Sequence, residues 1–528
     1  MVLRTSGRVG SRRFREAPRQ KCSGAFFVPV RERGVILLNK LASALGASNQ
    51  KISISVCPCE WFSYLWKRES KRIFFLIDQM NMKTHTFHFL RAICLGGLLS
   101  ASAFCVHAEN TVYLPSSENL QARKEFQDNK FGIFLHWGIY SMFGQGEWYM
   151  NNDNIDCHEY AKVASGFYPS RFDAHEWVAA IKASGARYIC ITSRHHDGFS
   201  MFHTKYSDYN VVDATPFKRD VIKELAEECQ KQGIKLHLYY SHLDWTREDY
   251  YPLGRTGHGT GRTSHGEWAT YYEFMNHQLT ELLTNYGPIG AIWFDGMWDQ
   301  PDGFDWKLDE QYALIHKLQP ACLIGNNHHK APYPGEDFQM FERDLPGENK
   351  AGFSGESVVG RLPLETCETM NGMWGYQIKD QNYKSVTELV RLLVRAAGKG
   401  ANLLMNIGPQ PNGELPAVAV ERLKGVGKWM SENGETIYGT TAGNVMTASW
   451  GTTTRKGNML YVHLLTDEMP QFVTLPLTEK VLSSTLFHTG EKVKWEKIQG
   501  GIVLHTENLR PSMDCIVALV SFQNWRID

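Results

Sequence analysis

The stretch IGAIWFDG at residues 289–296 is an apolar run that ends in a carboxylate and a glycine. A continuous apolar run of this length is typical of a strand that is buried on both faces, as in a parallel sheet. Similar runs recur along the chain at Phe131–His136, Tyr188–Ser193, Lys235–Ser241, Cys322–Asn326, Leu364–Glu368 and Asn402–Ile407. Together with Ile289–Asp295, these runs predict one parallel β-sheet.

Longer amphipathic segments lie between most of these runs. They predict helices over Asp173–Ala183, Arg219–Gln232, Glu267–Asn285, Asp309–Leu318 and Ser385–Ala397. Gly185, Gly233 and Gly287 follow three of them, as glycine commonly does at the end of a helix. This alternation indicates parallel βαβ units, and about seven units favour an α/β fold of the (β/α)8-like TIM barrel type, distorted in one unit. A doubly wound sheet is the rival, but no GxGxxG sequence opens the first unit.

The pattern changes after Tyr438-Gly439. Residues 440–528 contain short alternating runs, namely Met459–Leu465, Gln471–Leu477 and Ile502–Thr506, and no convincing helix. Such runs are typical of a small antiparallel β-sandwich. We therefore expect a catalytic barrel over residues 109–439 and a C-terminal β-sandwich over residues 440–528 that packs against it.

The charge is distributed unevenly along the 528 residues. Residues 1–81 contain 15 Lys and Arg against 5 Asp and Glu, whereas residues 109–528 carry a net charge of −12. The acidic body argues against nucleic acid as a partner. A hydrophobic fraction of 43% also excludes a mostly disordered protein.

Residues 82–108 resemble a signal peptide. Lys83 supplies the positive start, an apolar run extends from Ala92 to Phe104, and Ala108 ends a small-residue cleavage site. The apolar run is too short to span a bilayer, and Phe104 argues against lipidation of Cys105. We expect export with cleavage after Ala108, and we expect residues 1–81 to be a non-native extension produced by an early start codon.

Six cysteines fall in the body, at Cys157, Cys190, Cys229, Cys322, Cys367 and Cys515. An even number in an exported protein permits disulfides. Three of the six nevertheless lie in the apolar runs, where a buried free thiol is more common. The body has no CxxC pair, so the sequence predicts no structural zinc.

Polar and aromatic residues follow several predicted strands, where the chemistry of a barrel is located. They include His136, Glu147-Trp148, His195-His196-Asp197, Tyr239 and Asp295. The His195-His196-Asp197 run could supply metal ligands, but adjacent residues of a strand point to opposite faces and no HExxH spacing is present. Hydrogen bonding to hydroxyl groups explains the same residues. A carboxylate, several histidines and exposed tryptophans therefore favour a monosaccharide pocket.

The body of the chain contains seven motifs: FGIFLHWG at 131–138, EWY at 147–149, HHDGF at 195–199, YYS at 239–241, WFD at 293–295, WGY at 374–376 and NLLMNIGP at 402–409. In this order, they resemble the α-L-fucosidases of glycoside hydrolase family 29, most of all enzymes of Bacteroides-type gut bacteria, which fits a periplasmic location. The resemblance covers nearly all of the predicted mature chain. It implies a distorted barrel followed by a β-sandwich. It also implies an exo-acting enzyme that releases terminal α-L-fucose with retained anomeric configuration, through a fucosyl-enzyme ester.

The same resemblance implies roles for individual residues. Asp295 matches the nucleophile, and Trp374 matches an aromatic residue near the methyl group of fucose. The fucose-binding positions are matched by His136, Glu147, Trp148, His195, His196 and Tyr239. The acid/base comes from a variable loop, for which Glu356 is the first choice and Glu342 the alternative. Residues that contact the leaving group are expected in the loops at 250–266 and 328–360.

The resemblance further implies fucosylated oligosaccharides or glycoconjugates as substrates, with no metal and no organic cofactor. Two other classes of function remain open from the residues. One is a fucose-binding lectin built on an inactive enzyme, against which the presence of Asp295 argues. The other is a metal-dependent hydrolase that uses His195, His196 and Asp197.

Overall fold

The computed structural model describes residues 113–353, 359–443, 445 and 447–522. The predicted extension at 1–81, the predicted signal peptide at 82–108 and the candidate Glu356 lie outside the described residues.

Eight parallel strands form the main sheet: β1 Phe131–Leu135, β2 Tyr188–Arg194, β3 Lys235–Ser241, β4 Ala291–Asp295, β5 Leu323–Asn326, β6 Gln339–Glu342, β7 Leu364–Thr369 and β8 Ala401–Ile407. Their order in the sheet is β5-β4-β3-β2-β1-β8-β7-β6. Because β1 pairs with both β2 and β8, the sheet curls into a nearly closed barrel. The prediction of a distorted (β/α)8-like barrel is confirmed.

Helices connect most of the strands. Their bounds are α1 Ser117–Asn129, α2 Tyr149–Asn152, α3 Cys157–Ala161, α4 Ala174–Ala183, α5 Val221–Gln232, α6 Trp268–Asn285, α7 Leu308–Leu318, α8 Val386–Gly398 and α9 Ala417–Asn433, with short 3₁₀ helices at Ile139–Phe143, Lys162–Gly166, Met297–Asp299 and Gly434–Thr436. The termini follow local signals. The side chain of Asp220 caps the start of α5, and Gly233 ends it with φ of +72°.

The distortion lies between β5 and β6. Within the described residues, no hydrogen-bonded ladder joins these two strands, and no helix follows either of them. Asp337 partly closes the gap: its backbone N–H donates to the carbonyl of Ile324, and its Oδ2 accepts from the backbone N–H of Ile324, each over 2.7 Å. Arg123 and His316 hold the same carboxylate. The side chain of Asp337 thus supplies a hydrogen bond at a position where other neighbouring strands are joined by backbone hydrogen bonds.

The barrel interior is filled by large side chains. Phe134, Tyr239 and Trp293 pack against one another, with ring centroids 5.1–6.0 Å apart. At the other end, Phe126 of α1 packs against Tyr188 and residues near it. This layered core leaves the carboxyl ends of the strands free to carry polar groups.

The C-terminal region forms two antiparallel sheets. Their strands are β9 Thr441–Ala442, β10 Gly451–Lys456, β11 Met459–Leu464, β12 Phe472–Leu475, β13 Lys480–Leu486, β14 Trp495–Ile498, β15 Gly501–His505 and β16 Cys515–Phe522. One sheet has the order β13-β16-β11-β10-β9 and the other β12-β15-β14. Apolar residues from both sheets, among them Leu460, Leu504 and Val517, share one core. The predicted β-sandwich is confirmed.

The cysteines of the body occur as free thiols in the described residues, and five of the six are buried. Cys190, Cys322 and Cys367 are among the buried five, as expected from their apolar runs. None of the described helices is both long and apolar enough to cross a bilayer.

Candidate active site

The carboxyl ends of the strands open onto a cavity of about 1600 Å³. Nine of the sequence-predicted site residues line it: His136, Glu147, Trp148, His195, His196, Tyr239, Asp295, Glu342 and Trp374. They come from six different strands or the loops that follow them, so only the curled sheet brings them together. The tenth candidate, Glu356, lies outside the described residues.

Asp295 is the last residue of β4, and its carboxylate is surrounded by hydrogen-bond donors. Oδ1 accepts from the backbone N–H of Gly296 over 2.7 Å, from Nε1 of Trp298 over 2.9 Å and from Nδ2 of Asn327 over 3.4 Å. Oδ2 accepts from the hydroxyl of Tyr239 over 2.9 Å. These donors fix the direction in which the carboxylate faces the cavity.

The two adjacent histidines both reach the cavity because β2 ends at Arg194, just before them. Burial lowers the pKa of His195 and of His196, so both rings are neutral near pH 7. The hydroxyl of Ser241 donates to a backbone carbonyl and lies 2.7 Å from Nδ1 of His196. That arrangement places the His196 proton on Nδ1 and leaves Nε2, 3.5 Å from Oδ2 of Asp295, to accept from a bound hydroxyl.

His136 is oriented in a comparable way. The amide of Asn406 donates to the carbonyl of Trp374, so its Oδ1 accepts from Nδ1 of His136 over 2.7 Å. Burial lowers the pKa of His136 to about 3. Glu147 faces the same region, where its Oε2 accepts from the backbone N–H of Gly375 over 2.6 Å, and burial raises its pKa. Neutral histidines beside a carboxyl group can bind several hydroxyls of one sugar.

Trp374 supplies an apolar surface on this side of the cavity. Its ring lies 5.2 Å from the ring of His136, and the guanidinium of Arg343 sits 5.1 Å from its centroid. The Arg343 contact is a cation–π interaction that fixes the indole in place.

Glu342 ends β6 and lies beside Asp295. Nδ2 of Asn327 donates to Oε2 of Glu342 over 2.8 Å and also to Oδ1 of Asp295. Since one nitrogen contacts both groups, these two oxygens are less than about 6.2 Å apart. Burial raises the pKa of Glu342 to about 7, and the negative charge of Asp295 adds to the effect.

Sequence reasoning did not identify several residues that hold this site, chiefly Trp298, Asn327 and Asn406. Asn327 directly follows β5, so the rule that chemistry lies at strand ends could have singled it out. Trp298 lies three residues after Asp295, but nothing in that spacing shows that its indole N–H turns back to the carboxylate.

A metal site is the remaining alternative for the cavity at the carboxyl ends of the strands. His195 and His196 have ring centroids 4.2 Å apart. However, across residues 113–353, 359–443, 445 and 447–522 no group of three or more His, Cys, Asp or Glu side chains is arranged to hold a metal ion. Asp197 instead accepts from the hydroxyl of Tyr160 and does not line the cavity.

Comparisons with known proteins point to one enzyme family. The α-L-fucosidase family profile matches residues 100–435. The plasma α-L-fucosidase of Homo sapiens is 29% identical over 77% of this chain and 91% of its own length. The α-L-fucosidase of Dictyostelium discoideum is 29% identical over 76% of this chain and 89% of its own.

Solved structures give the same result. α-L-Fucosidase isoenzyme 1 from Paenibacillus thiaminolyticus superposes with a TM-score of 0.68 and 32% identity, covering 77% of this chain and all of that one. A trapped covalent intermediate of the family 29 α-L-fucosidase from Bacteroides thetaiotaomicron gives a TM-score of 0.66 and 26% identity, over 76% of this chain and 96% of that one. The chain therefore belongs to the α-L-fucosidase family of glycoside hydrolases.

Proposed function

We propose that this glycoside hydrolase releases terminal α-L-fucose from fucosylated glycans by double displacement, with Asp295 as the nucleophile and Glu342 as the acid/base. The observation that carries the proposal is the amide of Asn327, which contacts both carboxyl groups. Retaining glycosidases keep their two carboxyls about 5–5.5 Å apart, and inverting enzymes about 6.5–9.5 Å. The upper limit of about 6.2 Å between the two oxygens favours retention.

In the first step, a carboxylate oxygen of Asp295 forms a bond to C1 of fucose while the bond from C1 to the leaving oxygen breaks. Glu342 transfers its proton to that oxygen, and its raised pKa keeps the proton available near neutral pH. In the second step, the Glu342 carboxylate takes a proton from water, the water oxygen bonds to C1, and the ester breaks. Both carboxyl groups thereby return to their starting states.

Binding of the sugar falls to the other cavity residues. Nε2 of His136 and Nε2 of His196 are free to accept from hydroxyl groups, and His195 and Glu147 add further polar contacts. Trp374 forms an apolar wall. Such a wall rewards the methyl group of fucose over a hydroxymethyl group by about 1–3 kcal/mol.

Two experiments test this assignment. Asp295→Ala should abolish release of nitrophenol from an α-L-fucoside, and the first sugar released by the wild-type enzyme should have the α configuration by NMR. An initial β product would contradict the double displacement.

Glu356 remains the competing acid/base predicted from the sequence. The proposal for Glu342 predicts that Glu342→Gln lowers kcat/KM for a natural glycoside about 100-fold or more but leaves kcat/KM for α-L-fucosyl fluoride near wild type, because that leaving group needs no proton and kcat/KM reports the first step. The kcat for the fluoride should fall, since the variant also lacks the base of the second step. Glu356→Gln should then resemble wild type. If the two variants behave in the opposite way, Glu356 is the acid/base.

For the chain as a whole, we propose export to the periplasm with cleavage after Ala108, which leaves residues 1–81 without a function. The support is the signal-like pattern of residues 82–108. N-terminal sequencing of the mature protein tests it: a first residue of Glu109 supports cleavage, and any sequence from 1–81 contradicts it.

A further inference from the structure

The cavity is much larger than one fucose. A single six-carbon sugar bound between Asp295, His136 and Trp374 fills only a small part of about 1600 Å³. The remaining volume is lined by the chain around 301–309, by the loop after β5 at 327–330 and by residues 351–353. This part of the cavity is available to the group that fucose leaves behind.

Phe353 stands out in this second part of the cavity. It lines the cavity, yet 46% of its surface is exposed. Its ring stacks on the imidazole of His329, with centroids 5.6 Å apart and planes 21° apart. A single exposed apolar residue is common on protein surfaces. Phe353 differs because His329 packs against one side of its ring, while the exposed part faces the cavity.

His329, which supports Phe353, also lies beside the proposed acid. Nε2 of His329 lies 3.8 Å from Oε2 of Glu342. The acid must lie beside the glycosidic oxygen, so the first sugar of the leaving group begins at Glu342. The stacked pair of Phe353 and His329 extends from that point.

We infer that Phe353, supported by His329, is the platform on which the first sugar of the leaving group stacks. The inference rests on the proposed function and assigns it a substrate class: fucose attached to an oligosaccharide whose neighbouring ring presents an apolar face. Aromatic rings bind sugars through such faces, because the C–H groups of the sugar cover the ring while its hydroxyls stay in contact with water. The platform distinguishes an oligosaccharide from a small leaving group.

The test compares two substrates that share fucose and differ in the leaving group. One is α-L-fucosyl fluoride, which has no ring to stack, and the other is whichever of 2′-fucosyllactose and 3-fucosyllactose the wild-type enzyme cleaves faster. The measured quantity is the ratio of kcat/KM for the trisaccharide to kcat/KM for the fluoride. Phe353→Ala should lower this ratio about 5–10-fold, mainly through a higher KM for the trisaccharide, and Phe353→Trp should restore it to within about twofold.

The chain offers a matched control in Phe472. That residue is 52% exposed and also packs against a histidine, His505, but it lies on the C-terminal sandwich. Phe472→Ala should leave the ratio unchanged. Equal melting temperatures for the two alanine variants show that both are folded.

The outcomes separate the platform from the enzyme function. A ratio in Phe353→Ala within twofold of wild type contradicts the platform while leaving the fucosidase intact. Wild-type enzyme that cleaves the fluoride but neither trisaccharide also contradicts it. Wild-type enzyme that cleaves none of the three overturns the proposed function and the platform with it.

Discussion

Tyr239 donates a hydrogen bond of 2.9 Å to Oδ2 of Asp295, and the two residues lie on neighbouring strands of the barrel. The ring of Tyr239 is itself fixed, because it stacks on His195 from one side and on Trp293 from the other. The position of the carboxylate is thus determined by the packed interior of the barrel as well as by the loops above it.

Tyr239→Phe should therefore lower kcat/KM for fucosides about 10-fold or more, since it removes one charge-assisted hydrogen bond and leaves the ring in place. Tyr240→Phe is the matched control. Tyr240 is the next residue on the same strand, but its hydroxyl donates to Gln278, away from the cavity. Steady-state kinetics of the two variants should differ clearly; equal losses would mean that the effect is structural.

The pKa of Glu342, raised to about 7, predicts a pH dependence. A general acid works in its protonated form, so kcat/KM for a fucosylated trisaccharide should fall about tenfold per pH unit above pH 7. The profile for fucosyl fluoride should lack this alkaline limb. If activity on the trisaccharide already falls near the ordinary pKa of a glutamate, between pH 4 and 5, then burial does not raise the pKa of the acid.

Asn327→Ala should shift the alkaline limb of the pH profile for the trisaccharide. The amide of Asn327 stabilises the ionised form of Glu342 and lowers its pKa, so removing the amide raises the pKa and moves the alkaline limb to higher pH. We also expect kcat to fall, since Asp295 loses a donor at the same time. A limb that stays in place or moves to lower pH would contradict the shared hydrogen bond.

Glu365 gives a prediction about stability. It is buried in the barrel, where its carboxylate accepts from Tyr188 and Trp293, and burial raises its pKa to about 7. In the unfolded chain its pKa returns to about 4.5, so this group stabilises the fold fully below pH 4.5, and the contribution is lost as the pH rises to 7. The free energy of unfolding of Glu365→Gln, relative to that of wild type, should therefore rise by on the order of 2–3 kcal/mol between pH 4.5 and pH 8. Melting temperatures at these two pH values measure the gain, and a constant difference would contradict it.

Asp337 provides a second stability test at the gap between β5 and β6. Asp337→Ala should lower the free energy of unfolding by about 3–5 kcal/mol, because it leaves buried backbone and arginine partners unpaired. Asp337→Asn keeps the shape and one acceptor oxygen, so we expect a smaller loss. Chemical denaturation measures the free energy of unfolding of both variants. An alanine variant as stable as wild type would show that the hydrogen bonds of Asp337 at the gap do not stabilise the fold.

The sequence predicted seven of the eight barrel strands, most of them from apolar runs long enough to recognise. β6 was missed because Gln339–Glu342 begins and ends in polar residues and has only Met340 and Phe341 as apolar residues between them. Its parallel pairing with β7, which sequence periodicity does not reveal, is what makes it a strand.

The same distinction applies to the candidate site, where some residues could be predicted from the sequence and others could not. Residues in motifs at strand ends, such as His136 and Asp295, were found because the barrel dictates where strand ends meet. Trp298 and Asn327 were missed because their roles depend on side-chain directions in loops, which the spacing of residues does not encode.

The gap beside Asp337 has a consequence for how such an enzyme can change. The proposed nucleophile, Asp295, is carried by a strand with neighbours on both sides, whereas the proposed acid is carried by the outermost strand of the sheet. A lengthened or exchanged segment after β5 or β6 therefore disturbs few backbone hydrogen bonds of the other strands. Evolution can therefore move the proposed proton donor and reshape the cavity for new glycans beside this gap, while the half of the barrel that carries the proposed sugar-binding residues stays unchanged.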